Sequence, residues 1–345
     1  MKVERTIAFG AVLMLSIVGA AFLTCGIGPF HISYDTLARV WLSPVAPSLS
    51  SGIDDSVRYI ALNVRLARVV LAVIVGSGLA LAGGVYQGVL LNPLADPFTL
   101  GVSTGAAFGA SIAILLGWGG LSWWGVSLLP VAAFAGALGA LYGVYLLGRM
   151  EGRLQSTTLV LAGIIVSTFL SAWISLLKSL NEESVSTIVF WIMGSLSGRT
   201  WSHCGLVLPY LLIGGAVILF HARELDLLSL GDVQAQQMGV DVGRVRFRLL
   251  LAASLITGAA VAVSGVIGFV GLVIPHLVRL SVGPVHRRLL PLVMLTGGLL
   301  VLVADTLARS LLPHGEELPV GVVTAILGGP FFCFLMLNRK NRVRL

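Results

Sequence analysis

The sequence predicts an all-α fold, a polytopic membrane helix bundle of about ten transmembrane helices, and three observations predict it. Hydrophobic residues fill 57% of the 345 positions and charged ones only 11%, against roughly 25% charged in soluble domains. The apolar runs are long and unalternating, which excludes a transmembrane β-barrel. At about 20 residues per span plus connections, the length accommodates about ten helices, and residues 1–345 read as one bundle domain.

The first run, Ile7–Ile27, follows Lys2 and Arg5. It is too long for the apolar part of a signal peptide, and Phe22-Leu23-Thr24-Cys25 is a poor lipoprotein cleavage site, so it reads as a retained span. The Pro/Ser-rich "SPVAPSLSSGIDDS" from Ser43 to Ser56 reads as a solvent loop. The remaining candidate spans are Val69–Leu90, Val102–Leu116, Val126–Leu147, Thr157–Leu177, Leu206–Phe220, Leu249–Ile267, Gly268–Leu280, Pro291–Leu307 and Pro319–Leu337. Gly268–Leu280 is short and carries Pro275, so it needs a partly buried or irregular segment to cross. The three cysteines, Cys25, Cys204 and Cys333, lie far apart in apolar surroundings and read as small buried hydrophobes.

Placing the N-terminus in the cytosol puts 15 of the 22 Lys and Arg on that side. Seven are left outside: Arg39, Arg58, Arg65, Arg68, Lys178, Arg199 and Arg309. This bias predicts that both termini are cytoplasmic. It also accounts for the net charge of +7 without nucleic acid. Gly76, Ala80, Gly83 and Pro93 recur 182 residues later as Gly258, Ala262, Gly265 and Pro275. The spacing is consistent with either an inverted repeat or chance similarity. The chain's 42 glycines, many within spans, fit close helix packing in lipid.

Polar residues within the spans are few: Lys178 and Asp305 sit at span ends and Asp96 in the connection "NPLADPFTLG". That disfavours an ion-coupled secondary transporter, which needs such groups or broken helices to hold its ion. No acid, base or metal cluster marks an enzyme. No phosphate-binding loop is present either, so ATP hydrolysis, if it drives transport, belongs to another chain. The longest polar cytoplasmic connection, His221 to Arg248, contains "LDLLSL" followed by a short helix that Asp232 begins and Gly239 ends. Exposed leucines among Leu225, Leu228 and Leu230 predict a protein partner docking from the cytosol.

Several stretches together resemble the permease family of type II ATP-binding-cassette importers for iron-siderophores, haem and cobalamin. They are "RLARVVLAVIVGSGLALAGGVYQGVLLNPLADPFTLGVSTGAAFGA" (Arg65 to Ala110), "FWIMGSLSGRTW" (Phe190 to Trp201), "LLSLGDVQAQQMGVDVGRVR" (Leu227 to Arg246), "SGVIGFVGLVIPHLVRLSVGPVHRRLLP" (Ser264 to Pro291), "ADTLAR" (Ala304 to Arg309) and "ELPVGVVTAILGGPFF" (Glu317 to Phe332). The resembling region runs from about residue 61 to 340.

This resemblance implies a type II importer permease fold of ten spans in the inner membrane, forming a homodimer around a translocation path. It further implies two ATPase subunits beneath and a periplasmic substrate-binding protein above, with no catalytic residue, metal or cofactor in this chain. Within the cytoplasmic segment 222–248, it assigns ATPase coupling to Leu227, Leu228, Leu230, Gly231, Ala235 and Gly239. Arg65, Arg68 and Arg309 match outward-facing arginines that receive glutamates from the binding protein, as guanidinium forks suit carboxylates. Asn92, Leu94, Ser156 and Thr157 match a cytoplasmic gate. Where the family commonly has proline between the first two arginines this chain has Ala67, which predicts a looser start to that span. "WIMGSLSGRTW" resembles iron-siderophore permeases somewhat more than cobalamin ones, and no His/Tyr pair marks a haem path; cobalamin and haem remain alternatives.

Overall fold

The computed structural model describes residues 3–342 except 29, 31, 44, 45, 47, 49–51, 121, 124, 125, 151 and 152. Much of the Ser43 to Ser56 connection therefore lies outside the described residues. Each expected span has its helix: α1 (Val3–Gly26), α4 (Leu66–Val89), α5 (Val102–Leu115), α6 (Leu128–Gly148), α7 (Ser156–Leu180), α9 (Trp201–Phe220), α12 (Val242–Ser264), α13 (Val270–Val282), α14 (His286–Ser310) and α15 (Val320–Arg342). Seven are long and apolar enough to cross a membrane; α5, α13 and the apolar part of α15 are shorter. Short helices fill the connections: α2 (Tyr34–Leu42), α3 (Asp55–Tyr59), α8 (Glu182–Met193), α10 (Ala222–Leu228) and α11 (Asp232–Gln237). Two-residue hairpins pair Ser122–Trp123 with Val126–Ser127 and Arg149–Met150 with Arg153–Leu154.

At the centre stands α4, buried along nearly its whole length. Its neighbours approach closely because small residues meet at the crossings. A methyl group on Gly76 would strike the carbonyl of Gly297 in α14, and one on Gly83 would strike the backbone of Gly271 in α13. In lipid, where apolar surface gains nothing by leaving water, such backbone approach supplies the dispersion contacts that hold helices together. Ser77 adds a 2.9 Å bond from its hydroxyl to the Met294 carbonyl, so α4 and α14 are both packed and hydrogen-bonded.

Two local expectations change. The start of α4 is not loosened by Ala67: a π-helical turn, Ile60–Arg65, joins α3 to α4 in one helical run from Asp55 to Val89. Ala67 is fully buried, so its small size serves packing there. The 182-residue echo holds only in part: Gly76 and Ala80 of α4 have their counterparts Gly258 and Ala262 inside α12. Gly83 lies inside α4, whereas Gly265 caps the end of α12 with φ +66. The irregular passage required before α13 is present: residues 265–269 are non-helical, and Phe269 takes a left-handed φ of +67.

Candidate functional site

At one end of the bundle, α4 and α14 bring together Arg65, Arg68, Asp305 and Arg309, and the turn before α15 adds Glu317. Arg68 and Arg309 are far apart in sequence, but the Gly76–Gly297 crossing sets the two helices side by side, and one face of each carries the charges. Asp305 is fully buried, and its carboxylate accepts from Arg68 Nε at 2.9 and 3.1 Å and from the terminal nitrogen at 2.9 Å. The other edge of the Arg68 fork donates to both oxygens of Glu317, at 2.8 and 2.9 Å. Glu317 is the outermost member, its side chain 23% exposed against 10% for Arg68. Burial pushes the Glu317 carboxyl upward, but the Arg68 hydrogen bond and charge, with help from Ser197 and Arg309, outweigh it and hold it below the ordinary carboxylate range.

The other two arginines hold backbone. Arg309 donates to the carbonyls of Thr24 at 2.8 Å and Ile27 at 3.1 Å, and its Nε lies 3.9 Å from Asp305. Arg65 donates to the carbonyls of Cys25 at 2.6 Å and Phe30. These carbonyls belong to the last turn of α1 and the segment that follows it, where intrahelical donors run out, so the guanidiniums tie down the end of that helix. All three side chains are thus more than nine-tenths buried as residues and already engaged within the chain. The sequence placed them together on one face of the bundle; it gave no sign of Asp305 and Glu317 as their partners, because those contacts span 237 and 249 residues.

At the opposite end lie α10 and α11. Gly231, at φ +107, makes the turn between them, and Gly239, at φ +85, ends α11 in open space. Leu230 is 56% exposed, with Val233 and Met238 beside it in sequence and exposed to a similar degree. Here the sequence expectation needs correction. Leu225 and Leu228, three residues apart on one face of α10, are buried in the chain's own core, as is Ala235; Leu227 is partly buried against it. Leu225 packs over Gly88 of α4, which leaves it no partner surface. The exposed apolar residues are Leu230, Val233 and Met238.

An ion pair and a hydrogen-bonded His–Asp contact fix this segment. Arg246 of α12, 1% exposed, grips Asp232 with bonds of 2.6 and 3.0 Å, and His286 at the start of α14 meets Asp226 of α10 at 2.7 Å. Between this segment and the end of α4 lies a cavity of about 630 Å³, lined among others by Asn92, Asp226, Leu230 and His286. A neighbouring one of about 870 Å³ includes Ser156, Asp232 and Arg246, and Leu91 lines both.

The four gate candidates sit here. Asn92 folds its side chain back onto the Leu94 amide at 2.9 Å, Leu94 is 39% exposed, and the Ser156 hydroxyl donates to the Val89 carbonyl at 3.1 Å. The structure therefore ties the start of α7 to the end of α4. Thr157 is exposed. In the same connection, burial raises the Asp96 carboxyl to about 6, the Thr99 and Phe98 amides offsetting only part of the effect. No group of three or more His, Cys, Asp or Glu that could hold a metal exists among the described residues.

Comparison with known proteins follows the same geometry. The FecCD transport family matches residues 12–338. An uncharacterized ABC transporter permease protein, YvrB of Bacillus subtilis, is 42% identical over 94% of both chains. The cobalamin import system permease protein BtuC of Halobacterium salinarum is 41% identical over 98% of this chain and 90% of its own. Relatives at 35 to 38% identity are named for hemin, iron(III) dicitrate and molybdate import. A solved structure of an ABC transporter assigned to the metal-chelate type, in an inward-facing conformation, superposes with a TM-score of 0.82 at 34% identity, covering 95% of this chain and 98% of that one. A buried helical bundle with charged sites at its two ends, matched over nearly its whole length, is the permease of an ABC importer, and the chain belongs to the FecCD transport family.

Proposed function

We propose that this permease carries an iron-siderophore complex across the inner membrane as a homodimer, with both termini cytoplasmic. In this reading the chelate is delivered by a periplasmic binding protein, and two ATPase subunits drive its passage. The observation that carries the reading is the division of labour between the ends: a cluster with three guanidiniums and two carboxylates at one, and an exposed apolar knuckle of Leu230, Val233 and Met238 at the other. An excess positive charge suits an acidic partner, for which charge complementarity mainly sets docking register and encounter rate. A small apolar patch on a helix held by the Arg246–Asp232 ion pair suits a groove in a second protein.

Arg65, Arg68 and Arg309 organise the docking surface from beneath, and an incoming glutamate takes the place of Glu317 on the Arg68 guanidinium at the rim. Leu230, Gly231 and Gly239 shape the ATPase contact, while Leu227, Leu228 and Ala235 seat the segment on the bundle. Asn92, Leu94, Ser156 and Thr157 form the inner gate, with Asn92 lining one cavity and Ser156 the other. Homodimerisation is supported by α7, which exposes Leu161, Ile164, Phe169 and Trp173. Beside them runs a groove of about 340 Å³ with Thr104, Ser171, Ser175 and Lys178 in its lining, a surface suited to a path between two copies.

The relatives' cargoes are chemically diverse, so the chelate is tested directly. In vesicles containing the permease, its ATPase and its binding protein, ATP-dependent uptake of a labelled ferric siderophore should be competed by unlabelled siderophore and not by haemin or cobalamin. Competition by either of those alone reassigns the cargo. Uptake abolished by an ionophore yet indifferent to ATP would reject an ATP-driven importer altogether.

A further inference from the structure

The helix α14 begins without a cap of its own. Val285, at its N-terminal boundary, offers no side-chain acceptor to the first turn. The acceptor comes instead from another element: Asp226 Oδ1 of α10 takes the backbone N–H of His286 at 2.8 Å and the imidazole Nδ1 at 2.7 Å. One carboxylate oxygen thus serves as the N-cap of a helix 60 residues away and holds the ring of its first residue. His286 is 3% exposed, and its Nε2 lies against Gly88, where an added methyl would come within 3.0 Å. The ring is wedged between α10 and α4.

This matters because of what α14 carries. With 25 residues at 1.5 Å each, it is about 37 Å long and bears Asp305 and Arg309 at its far end. Along its length it rests on α4 through the Gly76–Gly297 crossing and the Ser77 bond. A close-packed rod transmits a displacement of one end to the other better than it absorbs it. The Asp226 side chain is directed at the first turn of α14.

We propose that Asp226 is a positioning residue that ties the ATPase-coupling segment to α14, so that movement of α10 is passed through the helix to the Asp305–Arg68 cluster at the opposite end. The inference rests on the reading of 222–248 as the ATPase-docking segment. What transmits is the position of the oxygen on the first turn of α14, not the charge. Asparagine keeps an oxygen acceptor at the same distance, whereas glutamate keeps the charge but shifts the oxygen by a methylene.

The test uses the full permease with its ATPase and binding protein in proteoliposomes, measuring substrate imported per ATP hydrolysed. Loss of an N-cap is worth about fivefold in the equilibrium it supports. Accordingly, Asp226→Ala and Asp226→Glu should each lower that ratio by about fivefold while still capturing the ATPase, and Asp226→Asn should restore it to within about twofold. A purely structural role would instead lower the yield of assembled complex and leave the ratio untouched in what assembles. If Asp226→Ala does not fold, the comparison of Asp226→Glu with Asp226→Asn decides alone. A wild-type ratio in Asp226→Glu, or an equal loss in Asp226→Asn, overturns the proposal. The docking reading fails separately, if Leu230→Glu combined with Val233→Glu still captures the ATPase.

Discussion

Replacing Arg68 and Asp305 singly and together separates a structural role of the arginine cluster from a role in docking alone. Asp305 is fully buried; without Arg68 its nearest cation is Arg309, 3.9 Å away. Breaking a buried pair from one side costs about 3–5 kcal/mol because a charge is left uncompensated, so Arg68→Ala should lose about 4 kcal/mol. Glu317 adds little to this loss because it can turn to water. Asp305→Ala should lose less, about 2 kcal/mol, the worth of charged hydrogen bonds, since Arg68 keeps both bonds to Glu317. The double variant removes both buried charges and should lose about 4 kcal/mol rather than the sum of about 6, a coupling of about 2 kcal/mol. Equilibrium unfolding of the purified permease in mixed micelles, with no binding protein present, measures all four proteins. Additivity within about 0.5 kcal/mol, or an Arg68→Ala protein as stable as wild type, would refute the network as a structural element and leave the arginine to docking alone.

Leu228→Glu should destabilise the permease by several kcal/mol, as an unpaired buried charge does, whereas Leu230→Glu should stay within about 0.5 kcal/mol of wild type and lose ATPase capture; unfolding and co-purification distinguish the two. Gly83→Ala should cost about 1–3 kcal/mol by forcing α4 and α13 apart, while Gly139→Ala, where nothing lies within 4 Å, should be neutral or slightly stabilising in the same unfolding assay. Because Glu317 is held below its ordinary value, its contribution is present above the unfolded carboxylate range and is lost as pH falls through the folded value. Stability attributable to it should therefore be flat from pH 8 to 6 and decline in acid, and Glu317→Gln should flatten that decline; an identical acid profile in the variant would show that the Arg68 bond contributes nothing.

The legibility of this protein divides along physical lines. Spans were readable because a bilayer demands about 20 apolar residues at each crossing; expected Val69–Leu90 and observed Leu66–Val89 agree closely, whereas expected Leu249–Ile267 missed the polar first turns of Val242–Ser264. Helix α8 was missed because Glu182 to Met193 is too short to cross, and a motif, "FWIMG", stood where its amphipathic turn is. Hydropathy also misjudged α10: Leu225, Leu228 and Leu230 look alike in sequence, yet the first two are buried in the core while the third, at the turn before Gly231, faces outward. The charge cluster was half visible. The arginines stand out against an apolar background, but the carboxylates that Arg68 binds lie 237 and 249 residues away, and no local periodicity encodes a contact of that separation. Asp226 and His286, likewise, are unmarked polar residues in the sequence until the fold brings α10 beside the start of α14. What a sequence of this class conceals, then, is the pairing of its few charges. Since hydrocarbon penalises an unpaired charge more severely than water does, those hidden pairs are where single substitutions should have their largest effects.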